Sequence, residues 1–135
     1  DPLELEAVIA TNLLGPILCA RALLAWAAPR SEAARIIHVS DATVAPREHA
    51  AGYAAAKAGL EGFTRALALD AAHTQVAVAA VALPGHRTEL SRGMLSPQEY
   101  AELAPPEAAV AALLYAITAP RDEVHGRVIG PPSPG

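Results

Sequence analysis

The sequence predicts an α/β fold in which helices cover a parallel β-sheet. Two short runs rich in β-branched and small apolar residues, 34–40 and 75–83, have the composition of strands buried on both faces. A predicted helix at 53–72 lies between them, and this order implies a right-handed crossover between parallel strands. A long apolar helix at 2–28 precedes the first strand.

Length and charge suit one globular domain with small partners. The 135 residues are 53% hydrophobic, which is enough to bury a core. The net charge is -4 and the charged residues are interspersed, so the sequence offers no basic patch for nucleic acid or an anionic membrane surface. We therefore expect a small-molecule partner or further copies of the chain.

Two features bear on the compartment. Cys19 is the single cysteine, and its apolar helical setting is typical of a packed thiol in a reducing compartment, so we expect the cytoplasm. The apolar run Val8–Ala28 is long enough to cross a membrane, but Asn12, Pro16 and Arg21 within it favour a buried amphipathic helix. The first residue is not methionine, which indicates a fragment or a processed product.

The first helix contains an interruption. Asp1 and Pro2 are typical helix-start residues. Pro16 has no N–H to donate, so the main-chain carbonyl of Asn12 would lose its usual partner. Such a carbonyl could accept from water or from an ammonium group, although a simple kink that helps packing is an equal alternative.

Tyr53 and Lys57 are the strongest candidates for chemistry. They lie four residues apart, so both side chains share one face of the predicted helix. A phenol has an ordinary pKa of about 10, and a nearby ammonium lowers it towards the range useful for proton transfer. The alternative is an alanine-rich helix whose tyrosine and lysine merely reach from a buried side to solvent.

Polar residues follow the predicted strands. Ser40 and Asp41 end the first strand and Pro84-Gly85 ends the second, at the edge where open α/β sheets bind ligands. The segment 86–104 is a lid over a pocket or a surface connector. A helix from 106 to 118 and a short strand at 126–130 complete the chain. No metal site is predicted, because no ligand spacing joins the histidines to acids or cysteine: 38, 49, 73, 86 and 125.

Taken in order, these pieces resemble the later half of the short-chain dehydrogenase/reductase family. Thr-Asn-Leu-Leu-Gly at 11–15 is similar to the helix with the family's active-site asparagine, and Arg-Ile-Ile-His-Val-Ser at 35–40 to its serine-bearing strand. Tyr-Ala-Ala-Ala-Lys at 53–57 matches its Tyr-x-x-x-Lys helix, and Leu-Pro-Gly at 83–85 its nicotinamide-side turn. The resemblance implies that 1–135 is the C-terminal part of one Rossmann-like domain, a doubly wound parallel sheet without its N-terminal βαβ half.

The resemblance also implies an oxidoreductase that moves hydride between NAD or NADP and a secondary alcohol or ketone. Tyr53 would exchange the hydroxyl proton, while Lys57 would lower the pKa of the phenol. Ser40 would bind the substrate oxygen, and Asn12 would hold a water beside Lys57. The implied cofactor contacts are Tyr53, Lys57, Pro84, Gly85 and Thr88.

Three questions stay open. The family's strand ends in two serines of which the second is catalytic, and Asp41 holds that place, whereas counting back thirteen residues from Tyr53 favours Ser40. A carboxylate there would raise the pKa of the phenol and oppose the chemistry.

The resemblance implies a homo-oligomer built on helices 2–28 and 53–72. A truncated, non-catalytic interaction module is the alternative to an enzyme.

Overall fold

Three parallel strands form the sheet in a computed structural model that describes residues 1–42 and 50–130. The strands are β1 (Ala34–Asp41), β2 (Val76–Leu83) and β3 (Val128–Ile129), in the order β1-β2-β3. β1 and β2 pair in parallel over their whole length, from Ala34 opposite Val76 to Asp41 opposite Leu83. The predicted parallel, adjacent strands are confirmed. The predicted loop at 42–51 and the proline-rich tail fall largely outside the described residues.

Seven α-helices surround this sheet in the described part of the chain. The short helical pattern around 97–103 corresponds to a helix at Pro97–Glu102. The short helices at Glu89–Met94 and Arg121–Val124 were not predicted, because four to six residues carry too few apolar positions to show a period. The helices are α1 (Pro2–Ile9), α2 (Gly15–Ala27), α3 (Ala51–Asp70), α4 (Glu89–Met94), α5 (Pro97–Glu102), α6 (Ala108–Thr118) and α7 (Arg121–Val124).

A π-helical segment, Ala10–Leu14, joins α1 to α2 where a single helix was predicted. The N–H of Gly15 donates to the carbonyl of Ala10, five residues back. Pro16 stands in the first turn of α2 and has no N–H for a regular α-helical bond. The missing donor explains why the helix widens at this point.

Both faces of β2 are buried. Val76 and Val78 pack with α2 and α3 through Ala27, Leu67 and other residues of one cluster. Ala79, between them and the end of the strand, belongs to a second cluster with residues that flank and follow α6. Successive strand residues face opposite sides of a sheet. The apolar side chains of β2 therefore pack against helices on both faces of the sheet.

The other edge of β1 pairs with no strand in the described part of the chain. Beside it, Val39 keeps 45% of its surface exposed. The helical stretch Pro2–Arg30 is long and apolar enough to cross a membrane, a test that soluble core helices and signal sequences also pass. In the fold it contacts α3 and β1.

Candidate active site at the end of the first strand

The structure brings Tyr53 and Lys57 together at the carboxyl end of β1. The ammonium of Lys57 lies 5.5 Å from the centre of the Tyr53 ring and donates to the carbonyl of Val39 at 3.0 Å. The first turns of α3 place both side chains there, because residues four apart share a helix face. A cation thus stands next to a phenol at the edge of the sheet.

The environment of Lys57 changes its proton affinity. Partial burial lowers its pKa, because desolvation disfavours the charged ammonium, while the negative charge of Asp41 acts in the opposite direction. The carboxylate therefore lies close enough to Lys57 to act on its charge.

Asp41, and not Ser40, contacts the phenol. The Tyr53 hydroxyl donates to Oδ2 of Asp41 at 3.2 Å. Ser40 is only 3% exposed, and its hydroxyl donates to Oε1 of Glu61 at 2.7 Å. Consecutive strand residues project to opposite faces, so Ser40 and Asp41 cannot occupy the same position. The hydroxyl of Ser40, to which the resemblance gives a substrate-binding role, thus joins β1 to the middle of α3.

Glu61 has a role that sequence reasoning missed. Residues four apart on a helix can pair, and Glu61 forms such an ion pair with Arg65 at 3.6 Å. Glu61 also accepts the hydrogen bond from Ser40. A serine within an apolar buried strand needs a partner, and a carboxylate one helical position from the buried Leu60 was the available signal.

Asn12 and Lys57 line one cavity of about 390 Å³ between α2, β1 and α3. The side-chain amide of Asn12 donates to the carbonyl of Val8 at 3.0 Å, along its own helix. Cys19 and Val39 also line this space, so it borders the open edge of β1. Asn12 and Lys57 therefore face the same space.

His38 also lines this cavity. Its Nδ1 is 2.8 Å from the hydroxyl of Thr64, which itself donates to the carbonyl of Leu60 at 2.7 Å. Because the Thr64 hydroxyl donates its proton to Leu60, it can only accept from His38, so Nδ1 of His38 carries the hydrogen. Nε2 is then the unprotonated nitrogen, and it is buried without a partner among the described residues. Burial lowers the pKa of His38.

The predicted turn after β2 is built by main-chain contacts. His86 forms a parallel bridge with Ala104, and the N–H of Arg87 donates to the carbonyl of Ala104 at 2.9 Å. Pro84 and Gly85 precede this bridge, and a Cβ on Gly85 would lie 3.3 Å from Leu103.

Thr88 caps α4. Its hydroxyl accepts from the N–H of Ser91 at 3.2 Å, in a reciprocal capping box. The same hydroxyl is the one that the resemblance assigns to the cofactor. Within residues 1–42 and 50–130, no three His, Cys, Asp or Glu side chains group closely enough to hold a metal, and His49 lies outside that part.

A comparison of the sequence with protein families finds one match. The sequence model described as short chain dehydrogenase matches residues 1–99. No curated protein matches the sequence significantly.

Solved structures share the fold. They include a 4-hydroxyisoleucine dehydrogenase mutant bound to NADH and succinate, which is 20% identical with a TM-score of 0.83, covering 94% of this chain and 57% of that one. Sorbitol-6-phosphate 2-dehydrogenase from Erwinia amylovora is 22% identical with a TM-score of 0.80, covering 97% and 59% respectively. The 3-oxoacyl-[acyl-carrier protein] reductase from Brucella melitensis is 23% identical with a TM-score of 0.82, covering 96% and 52%. The chain thus spans little more than half the length of these structures.

Proposed function

The chain belongs to the short-chain dehydrogenase family, and on that premise we propose that the full-length protein is an NAD(P)-dependent oxidoreductase with Tyr53 as its proton carrier. The observation that supports this most is the position of the Lys57 ammonium, 5.5 Å from the Tyr53 ring centre at the carboxyl end of β1. A cation at that distance favours the phenolate over the phenol. Tyr53 keeps 37% of its surface exposed, so a small substrate can reach its hydroxyl.

The residues present fit one side of a nicotinamide cofactor. Lys57 is half-buried beside an open cavity that Asn12 also lines, which suits an ammonium that binds a ribose hydroxyl. The described residues contain no glycine-rich turn of the kind that binds a pyrophosphate. When bound, the nicotinamide supplies or accepts the hydride. The choice between NAD and NADP depends on residues outside this part of the protein.

The substrate that the family resemblance implies is a secondary alcohol or its ketone. In that reaction Tyr53 takes the hydroxyl proton as hydride leaves the carbon, and returns it in the reverse direction. The positive charge of Lys57 would favour the phenolate, and the carbonyl of Val39 near the end of β1 holds the ammonium in place. Ser40, the expected donor to the substrate oxygen, would have to exchange its hydrogen bond to Glu61 for one to the substrate.

A non-catalytic interaction module is the second candidate. The contact between Tyr53 and Asp41 favours it, because a carboxylate that accepts from the phenol stabilises the protonated form. The two candidates differ in whether the full-length protein turns over any substrate.

The test replaces the hydroxyl of Tyr53 alone. In the full-length protein, Tyr53→Phe should lower kcat by about 10² or more, the scale of general acid–base catalysis, while the Kd for NAD(P)H stays within about twofold. Tyr115→Phe is the matched control, since it removes a hydroxyl that bonds to Glu123 on the far helices. Cofactor fluorescence measures binding and absorbance measures turnover.

Undiminished turnover in Tyr53→Phe would exclude this tyrosine as the proton carrier. Absence of both cofactor binding and turnover in the unmodified full-length protein would favour the interaction module.

A further inference from the structure

We propose that the side chain of His125 is a pH-dependent latch that holds α7 and β3 against β2. The neutral imidazole fastens this edge of the sheet through hydrogen bonds to α3 and β2, and its protonation releases the edge while β1 and β2 stay paired. The latch is independent of the proposed enzymatic activity, since it lies on the side of β2 away from β1.

The strand β3 is too short to satisfy the whole edge of β2. It consists of two residues, Val128–Ile129. Beside the first half of β2, the carbonyl of Val76 accepts instead from Nε of Arg121 at 3.3 Å. The N–H of Val78 donates to Nδ1 of His125 at 3.2 Å. Two side chains of the segment before β3 thus take the place of the main-chain partners that a longer strand would supply.

The hydrogen bonds fix the tautomer of His125. Because Nδ1 accepts from Val78, it carries no hydrogen, so the neutral ring has its hydrogen on Nε2. Nε2 then donates to the carbonyl of Ala68 near the end of α3 at 2.9 Å. The guanidinium of Arg121 also lies 3.1 Å from Nε2, and it donates to the carbonyl of Ala71 at 3.2 Å. One neutral ring therefore joins α3 to β2 with a cation beside it.

Protonation would break this arrangement at two points. A hydrogen on Nδ1 removes the acceptor for Val78, a residue that is fully buried, so water cannot replace that acceptor while the segment stays in place. The positive ring would also stand next to the guanidinium of Arg121. Both unfavourable contacts disappear when α7 and β3 separate from β2. This opening would expose Val124, which is buried in the second core cluster.

The surroundings of His125 favour its neutral form. Burial and the positive charge of Arg121 lower its pKa, while the hydrogen bond to Ala68 acts in the opposite direction. Among the described residues, α3 and β2 bond to the ring through main-chain groups, and Arg121 is the charged group that acts on it. The opened segment therefore binds more protons than the closed one below an ordinary pKa of 6.5, so acid favours opening.

Hydrogen–deuterium exchange of the full-length protein measures this opening, because the amides of segment 124–129 exchange when it leaves β2. After correction for the intrinsic exchange rate, exchange in this segment should accelerate at least about fivefold between pH 7.5 and pH 5. The upper limit is about thirtyfold, because pH 5 lies about 1.5 pH units below the ordinary pKa of histidine. Segment 34–41 in β1 should stay better protected than 124–129 at pH 5.

Two substitutions of His125 separate its hydrogen bonds. His125→Asn places an amide oxygen on Cγ, where Nδ1 stands, so Val78 keeps an acceptor that does not titrate. The acceleration at low pH should then fall below about twofold. His125→Gln carries its amide one carbon farther, near the place of Nε2, so Val78 loses its acceptor. Segment 124–129 should then exchange rapidly at both pH values, as in the protonated wild type.

His38→Asn is the matched control, because burial lowers the pKa of this histidine as well but it lies in β1. It should leave the pH dependence of segment 124–129 unchanged. Exchange of that segment without acceleration in the wild type would overturn the latch, and this comparison stands even where a variant does not fold. The same acceleration in His125→Asn as in the wild type would overturn it too. Equal protection of segments 34–41 and 124–129 at pH 5 would show unfolding of the whole domain and would contradict a local release.

Discussion

His38 combines deep burial with an imidazole nitrogen that has no partner. It is 6% exposed, with Nδ1 bound to Thr64 and Nε2 buried. Protonation would place a positive charge on Nε2 in an apolar environment next to the ring of Phe63. The folded protein therefore holds this side chain in its neutral form.

A dependence of stability on pH follows. Since burial lowers the pKa of His38 below 6.5, the unfolded chain binds more protons than the folded one in the interval between the two values. The free energy of unfolding contributed by this group is complete above about 6.5 and is lost as the pH falls through the folded-state pKa.

Urea unfolding between pH 7.5 and pH 5 measures this effect in a variant pair. His38→Asn keeps a donor for Thr64 but does not titrate, so it should show a smaller loss of stability on acidification than the wild type. The exposed His73, changed to Asn, should leave the loss unchanged. Equal pH dependence in wild type and His38→Asn would show that another group is responsible, such as His125, whose pKa is also lowered by burial.

At the same scale, the sequence predicted which residues meet but not all of their bonds. Tyr53 and Lys57 were placed together by helical spacing alone. Ser40 and Asp41 could not be assigned, because the strand register that decides between them is fixed by pairing with β2, from Ala34 to Asp41. That pairing depends on residues more than forty positions away in the sequence.

At the scale of elements, α1 approaches α3 closely at one of two glycines of α3 and not at the other. A Cβ on Gly52 would come within 2.5 Å of Leu5, whereas a Cβ on Gly62 would meet no atom within 4 Å. Both glycines lie in α3, so both carry the entropic cost of glycine in a helix.

Alanine at the two positions should therefore act differently. Gly62→Ala should raise the free energy of unfolding by about 0.5–1 kcal/mol, because it restricts the unfolded chain and meets no clash. Gly52→Ala should gain less or destabilise the protein, because Leu5 must rotate out of its contact with α3. Chemical denaturation of the two variants beside wild type measures the difference, and equal gains would show that the contact between α1 and α3 is loose.

β1, β2, α3 and α6 were found from sequence by their apolar patterns, and the short strand β3 was found as well. β1, β2 and α3 fall within two residues of their predicted bounds. The π segment could not be located beyond the disturbance at Pro16, since a missing donor permits a kink, a water or a wider turn equally. α4 is held by a local capping box, and α7 is held by Val124 in the second core cluster. In the sequence, both signals are too short to be distinguished from those of turns.

At the scale of the whole molecule, large apolar side chains remain on the outer surface of the first helices. Leu18 on α2 is 57% exposed and Trp26 is 49% exposed. Exposed apolar patches of this kind mark surfaces that contact other proteins. We therefore expect the full-length protein to form homo-oligomers through the helices at 2–28 and 53–72.

A charge placed in that surface tests the expectation. Leu18→Lys should weaken self-association at micromolar concentration, because the ammonium would be desolvated in the contact. Leu114→Lys on α6, at a position 53% exposed, is the matched control and should leave the mass unchanged. Sedimentation velocity measures both. A monomeric wild-type protein would contradict the expectation, and equal effects of the two variants would place the contact elsewhere.

The bridge between His86 and Ala104 has a consequence for how this architecture can diversify. The ends of the segment 86–104 are joined through main-chain atoms, by the bridge and by the hydrogen bond from Arg87 to Ala104. The attachment of this segment therefore does not depend on the identity of its side chains. Within the segment, α4 and α5 each carry their own capping box. Such a unit could be transplanted between related proteins, or replaced by a segment of another length, with the sheet unaltered. Substitutions within α4 and α5 would then leave the main-chain attachment of this unit in place.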